Sequence, residues 1–137
     1  MILFHSEIGF NLSNKSLYKK WIKNCVHKEK KGVGSINYIF CDDAYLLKVN
    51  QEYLNHDTYT DIISFDYSEN DKLAGDIFVS VESVRKNAKK YKISFDNELS
   101  RVLIHGILHF IGYNDKTEKE KVEMRKQEDY YLSLRTF

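Results

Sequence analysis

The stretch of this chain best equipped for chemistry is His105-Gly-Ile-Leu-His109-Phe-Ile-Gly112-Tyr-Asn-Asp115. Two histidines four apart on a helix project from one face, so they can offer two imidazoles to one metal ion. Gly112 falls where such a helix would stop, because glycine tolerates the left-handed backbone that ends helices. The chain can then turn and bring the Asp115 carboxylate back toward the imidazoles. A histidine pair alone is weak evidence, and a satisfied pair without metal is the plain alternative. The conjunction of His105, His109, Gly112 and Asp115 is what favours a metal site. Two neutral imidazoles and a carboxylate, with water in the open position, form a set that catalytic zinc uses. Fe(II), Mn(II) or Ni(II) suit the same donors, and a two-histidine, one-carboxylate oxygenase is an alternative with nothing else in the chain to support it.

The spacing resembles the metal signature of the metzincin proteases, His-Glu-x-x-His-x-x-Gly-x-x-His, with two departures. Gly106 stands where the protease carries its general base, and Asp115 stands where it carries a third histidine. A metal-dependent hydrolase that is not an ordinary protease is therefore expected. With no acid after His105, deprotonation of water falls to the metal, which lowers the pKa of a bound water, or to an acid from elsewhere. Position in the chain nominates Asp61, Asp76 and Glu98 for that role. Each also reads, more simply, as a cap, a turn residue or a group orienting a ligand.

The elements that must position these residues are legible from periodicity and caps. Ile2, Leu3 and Phe4 read as a short strand. Asn11 or Ser13 can cap a helix running to about Lys28, with Leu17, Trp21, Ile22 and Cys25 on its inner side. Gly32 and Gly34 are expected to break the chain before a strand over Ser35–Cys41. Asp42 or Asp43 caps a helix with Leu46, Leu47 and Val49 inward, and 53–59 is polar and irregular. The stretches 61–67 and 75–80 read as an antiparallel hairpin with a long loop. Ser80 or Ser83 opens a helix to about Lys92. Ser94 caps the helix carrying the histidines, with Asp96 and Glu98 complementing its dipole. A last helix runs from Lys116 to about Ser133, its acids and bases interleaved at helical spacing. The order predicts an α+β domain: a small mixed sheet against about five helices, with the histidine helix central because it is apolar on more than one side.

At 137 residues, with 42% hydrophobic and 14% aromatic content, the chain suits one hydrolase domain over 1–137 rather than a disordered segment. The N-terminal sequence lacks a basic leader and a signal-length apolar run. No window approaches the roughly 20 apolar residues of a membrane span. Cys25 and Cys41 are then expected to be reduced and buried, and the protein cytoplasmic. Charge is uneven: residues 1–41 hold seven lysines against two acids, 42–82 two against ten, and 83–137 twelve cations against eight. A uniformly basic nucleic-acid binder would not look like this, but an acidic centre suits a cation site. The lysine faces at 15–28 and 85–92 read as solvated helix surface or, alternatively, as docking surface for RNA backbone.

Residues 105–115 resemble the H-G-x-L-H-L-x-G-Y-D-H signature of the YbeY family of bacterial rRNA maturation factors. Thr60-Asp-Ile-Ile-Ser-Phe65 resembles that family's T-D/N-V-L-S-F strand, Gly75-Asp76-Ile77 its G-D-I, and Glu98-Leu99 its helix-opening E-L. The resemblance covers roughly residues 36 to 130. It implies a zincin-like α+β fold holding one zinc ion. It also implies a metal-dependent, single-strand-specific endoribonuclease that matures the 3′ end of 16S rRNA and takes part in ribosome quality control, with rRNA and the small ribosomal subunit as partners. His105 and His109 match the first two metal ligands, and Asp115 takes the place of the third histidine. The family's L-N-x-x-Y-R stretch reads Val49-Asn-Gln-Glu-Tyr-Leu54 here, so leucine replaces an arginine thought to face the substrate. Leucine cannot clamp phosphate: either another cation does so, with Arg101 and Lys48 as candidates, or substrate handling differs, and Arg101 reads more simply as a surface or ion-paired residue. A peptidase, or an assembly factor with a structural metal, are the alternatives to an RNA hydrolase.

Overall fold

Four strands form one mixed sheet in a computed structural model that describes residues 1–54, without the Leu54 side chain, and 61–137. Their order is β1-β2-β4-β3, from β1 (Ile2–Ser6), β2 (Gly32–Cys41), β3 (Ile62–Asp66) and β4 (Lys72–Ser80). β1, β2 and β4 run parallel, and β3 closes the edge antiparallel to β4. Five helices lie among the described residues: α1 (Lys15–Lys28), α2 (Asp43–Val49), α3 (Val81–Tyr91), α4 (Phe95–Ile111) and α5 (Glu118–Ser133). A single π-turn, Asn50–Leu54, follows α2. The polar stretch expected at 53–59, and Thr60, fall largely outside the described residues.

Alternation decides which face of the sheet is covered. Ile36, Tyr38, Phe40, Ile77 and Val79 form the inner face and are all but fully buried. Tyr38 crosses the core to donate from its hydroxyl to the Leu103 carbonyl of α4 at 2.8 Å. On the outer face α2 covers a smaller cluster of Cys41, Leu46, Val49 and Ile63. Both cysteines are free and buried. As expected for a helix apolar on more than one side, α4 is central, touching β3, β4, α1, α3 and α5.

Several local expectations are corrected. α1 begins after Asn14, whose backbone is left-handed and whose side chain makes no capping bond, rather than at Asn11 or Ser13. Its inner stripe uses Tyr18 in place of Leu17, which is exposed. Gly32 and Gly34 lie within β2 instead of breaking it, and the register slips between Val33 and Ile36. The expected long hairpin loop is a tight turn: Glu69 and Lys72 exchange backbone hydrogen bonds across Asn70 and Asp71, both at positive φ. Mirror-image turns of this kind match the twist of paired strands, and Asn and Asp tolerate them. The caps at Asp42, Ser80 and Ser94 are present, each accepting from a backbone N–H three residues on.

The feature that seats α4 is Gly106. A Cβ there would stand 3.0 Å from the Ile77 Cδ1 and 3.2 Å from the Ile62 Cδ1, so the helix rests on the sheet with its backbone. The position that carries the base in the protease signature thus faces the apolar core. Gly106→Glu, which would restore that signature, is expected to bury a carboxylate and cost about 3 kcal/mol or more. A thermal melt should show a Tm lower by about 10 °C; an unchanged Tm would mean the side chain escapes the core.

Candidate metal centre

With 3.6 residues per turn, successive side chains on α4 are rotated by about 100°. Gly106 points at the sheet, so His105 and His109 point along the flank, toward the edge at β3 and α5. Gly112, at φ 124°, ends the helix, and the Gly112 and Tyr113 amides close onto the Leu108 carbonyl. The short link to Thr117 then returns Asp115 to the histidines. Tyr113 anchors that link by donating from its hydroxyl to Glu29 Oε1 at 2.8 Å, while Tyr131 of α5 donates to the other oxygen of the same carboxylate. Thr117 and Glu120 form a reciprocal capping box that starts α5 immediately afterwards.

The result is a tight cluster. His105 Nε2 and His109 Nε2 are 3.1 Å apart, and Asp115 Oδ2 lies 3.2 Å from the first and 3.3 Å from the second. Donors about 2.0–2.1 Å from a tetrahedral zinc would stand about 3.3 Å from one another, so the spacing fits such an ion closely. The protonation pattern fits as well. His105 Nδ1 lies 2.7 Å from Glu128 Oε2, so that nitrogen holds the proton and Nε2 presents a lone pair. Burial works against a charged His105 ring, but the bond and charge of Glu128, with Asp115 and Asp61, outweigh it and draw its pKa upward. A ring made more basic in this way is a better donor to a metal.

Glu128 is the residue that sequence reasoning missed. It is buried, and its second oxygen accepts from Arg101 Nη1 at 2.9 Å, while Arg101 Nη2 reaches Asp129 at 2.7 Å. Burial would raise the Glu128 pKa, but the bonds from His105 and Arg101 outweigh it and hold the carboxyl below its usual range. Nothing in the charge pattern of α5 distinguishes Glu128 from its exposed neighbours; only the packing of α5 on α4 does.

The other nominated residues divide. Asp61 and Glu98 line a cavity together with His105 and Asp115. Burial pushes both carboxyls up, with the Asp61 charge adding to the effect on Glu98. Asp76 is not brought to the site: it lies on the outer face of the sheet, where its carboxylate accepts from the Asn37 amide at 3.2 Å. Arg101 is committed to Glu128 and Asp129, so of its two readings the ion-paired one holds and the phosphate clamp does not. Lys48 sits beyond the sheet on α2, beside Glu52, and lines a different cavity with Asp43. The Leu54 side chain lies outside the described residues. Cations do reach the site from α5, where Lys121, Arg125 and Lys126 line a cavity of about 720 Å³ that includes His105 and Asp115.

A mixed sheet backing a buried helix, with a His-His-Asp cluster on its flank where two clefts meet, is the architecture of a hydrolytic enzyme. Residues 5–135 match the family described as Endoribonuclease YbeY. An Endoribonuclease YbeY of Flavobacterium psychrophilum is 52% identical, with 98% of this chain and 96% of that protein covered. One of Cytophaga hutchinsonii is 46% identical, covering 100% and 96%. The solution structure of TM1509 from Thermotoga maritima superposes with a TM-score of 0.69 at 29% identity, covering 97% of this chain and 87% of that one. The chain belongs to the YbeY endoribonuclease family.

Glu128→Gln keeps the side-chain shape but weakens the grip on His105 Nδ1–H and Arg101. It is expected to lower zinc affinity about 10- to 100-fold while the far-ultraviolet circular dichroism of the fold persists. Titration against a competing chelator measures this, and an unchanged affinity would leave Glu128 a purely structural partner of Arg101.

Proposed function

We propose that this chain, as one domain over 1–137, is a zinc-dependent endoribonuclease specific for single-stranded RNA. Its site of action is the cytoplasm, where it trims the 3′ end of 16S rRNA on the small ribosomal subunit and contributes to ribosome quality control. The observation that carries the reading is the convergence of His105 Nε2, His109 Nε2 and Asp115 Oδ2 within 3.3 Å of one another, in a chain of an endoribonuclease family.

A zinc ion held by these three groups would supply a Lewis acid for a phosphoryl oxygen and an acidified water. The chain's own residues do the rest. Glu128 fixes the His105 tautomer and ring plane, and Arg101 holds Glu128. Asp115 adds negative charge, so water on an ion held there would be acidified less than three histidines would acidify it. Lys121, Arg125 and Lys126, at i, i+4 and i+5 along α5, face the same cavity and can receive backbone phosphates. They take over the role that the absent family arginine leaves open. No described helix is long and apolar enough to cross a membrane. Peptide hydrolysis is disfavoured by the orientation of Gly106 into the sheet.

Purified protein should contain about one zinc ion and cleave single-stranded RNA but neither duplex RNA nor casein. His109→Ala and Asp115→Ala should each lose bound metal and reduce RNA turnover by at least about 100-fold, measured beside thermal melts. RNA cleavage surviving both substitutions would remove the metal chemistry. Turnover unchanged with Tm lowered would favour an assembly factor stabilised by its metal.

A further inference from the structure

Two cavities meet at His105 and Asp115. The larger follows the cations of α5, whereas the smaller, of about 290 Å³, runs beneath α3 and has a different chemistry. Its outer wall carries Asn87 and Tyr91, four residues apart and therefore on one face of α3. Tyr91 is 54% exposed, with the Lys90 ammonium 5.4 Å from its ring centroid. Neither the Tyr91 hydroxyl nor the Asn87 amide makes a hydrogen bond to another described residue. The Asp61 and Glu98 carboxylates line the same cavity, as does Arg101, whose guanidinium is held by Glu128 and Asp129, and Arg125 is shared with the larger cavity.

With four carboxylates against Arg101 and Arg125, and Arg101 already engaged by Glu128 and Asp129, this lining suits a nucleobase better than a phosphate. Carboxylates repel a phosphodiester, but they accept hydrogen bonds from the amino and imino groups along a base edge. An exposed aromatic ring offers a stacking partner to any base, because every base has a π-face. An unpartnered amide both donates and accepts, as base edges do. A volume near the lower end of small-ligand pockets, roughly 300 Å³, suits one base rather than a duplex.

We propose that Tyr91 and Asn87 form a nucleobase subsite. One unpaired base next to the cleaved phosphate stacks on the Tyr91 ring and turns its polar edge to Asn87 and the carboxylates behind it. The backbone then passes the histidine cluster and leaves along Lys121, Arg125 and Lys126. The proposal rests on the ribonuclease reading and adds a physical source for single-strand selectivity. A base within a duplex has both faces stacked and its pairing edge occupied, so it cannot enter.

The test uses wild type, Tyr91→Ala, Tyr91→Phe and Asn87→Ala on a single-stranded RNA, and on copies in which one nucleotide at a time is abasic. Tyr91→Ala should raise KM on the order of 10-fold, with the loss falling on KM rather than kcat, and Tyr91→Phe should restore it. One abasic position beside the cleavage point should cost wild type a similar factor and cost Tyr91→Ala nothing further, since the two changes remove the same contact. Asn87→Ala should narrow the preference among the four bases at that position, and an unaltered preference would remove Asn87 from the subsite. If wild type cleaves the RNA and Tyr91→Ala leaves KM unchanged, or the abasic losses simply add, the subsite is overturned while the ribonuclease reading stands. If wild type cleaves no RNA, both fall together.

Discussion

The backbone contact between α4 and the sheet at Gly106 sets the position of everything else in the site. With no side chain between helix and strands, α4 lies close against Ile62 and Ile77, and its rotation about its own axis is set by that contact. Helical geometry then leaves His105 and His109 no direction but the flank. They emerge at the open edge of a mixed sheet, partly exposed, with a rigid core behind them. A bulkier residue at 106 would lift or roll the helix, and both imidazoles would move with it.

Two further devices complete the cluster, each by closing a long stretch of chain. Glu128 reaches from α5 to hold His105 and is itself held by Arg101, so the docking of α5 on α4 and the orientation of the first imidazole are one interaction. Glu29, at the end of α1, takes hydroxyls from Tyr113 and Tyr131. It thereby pins the loop that returns Asp115 to the same helix that supplies Glu128. Removing a partner from such a buried network leaves the remaining charge uncompensated, which costs more than the bond itself is worth. The arrangement is correspondingly intolerant of single truncations, although each of its bonds is modest.

α5 has one side in the core and another bordering the site. Its inner side presents Met124, Glu128 and Tyr131 to the core, while Lys121, Arg125 and Lys126 border the cavity that holds His105 and Asp115. These cations stand among acids, with Arg125 3.5 Å from Glu128 and Lys121 3.5 Å from Glu118.

Much of this was legible in the chain itself. Cap residues and apolar periodicity located five helices and four strands in the right order, because those signals act between residues a few positions apart. The pair His105 and His109, the stop at Gly112 and the return to Asp115 are equally local, so the cluster could be named from eleven consecutive residues and the family recognised from it. Gly32 and Gly34 misled, since both lie within β2, and at Gly34 the missing side chain makes room for the Leu73 carbonyl, 2.9 Å from where a Cβ would stand. What only the tertiary structure decided are contacts between residues far apart in sequence. Glu128 looks like any acid of an exposed helix until α5 packs on α4. Asp76 looked as eligible as Asp61 until strand alternation sent it to the outer face. Arg101 could be read as a phosphate clamp or as an ion-paired residue until Glu128 and Asp129 were found against it. Local chemistry determined what residues 105–115 can do, and long-range packing decided which other side chains are there to help, because burial and pairing of a charge depend on neighbours that no short window of sequence contains.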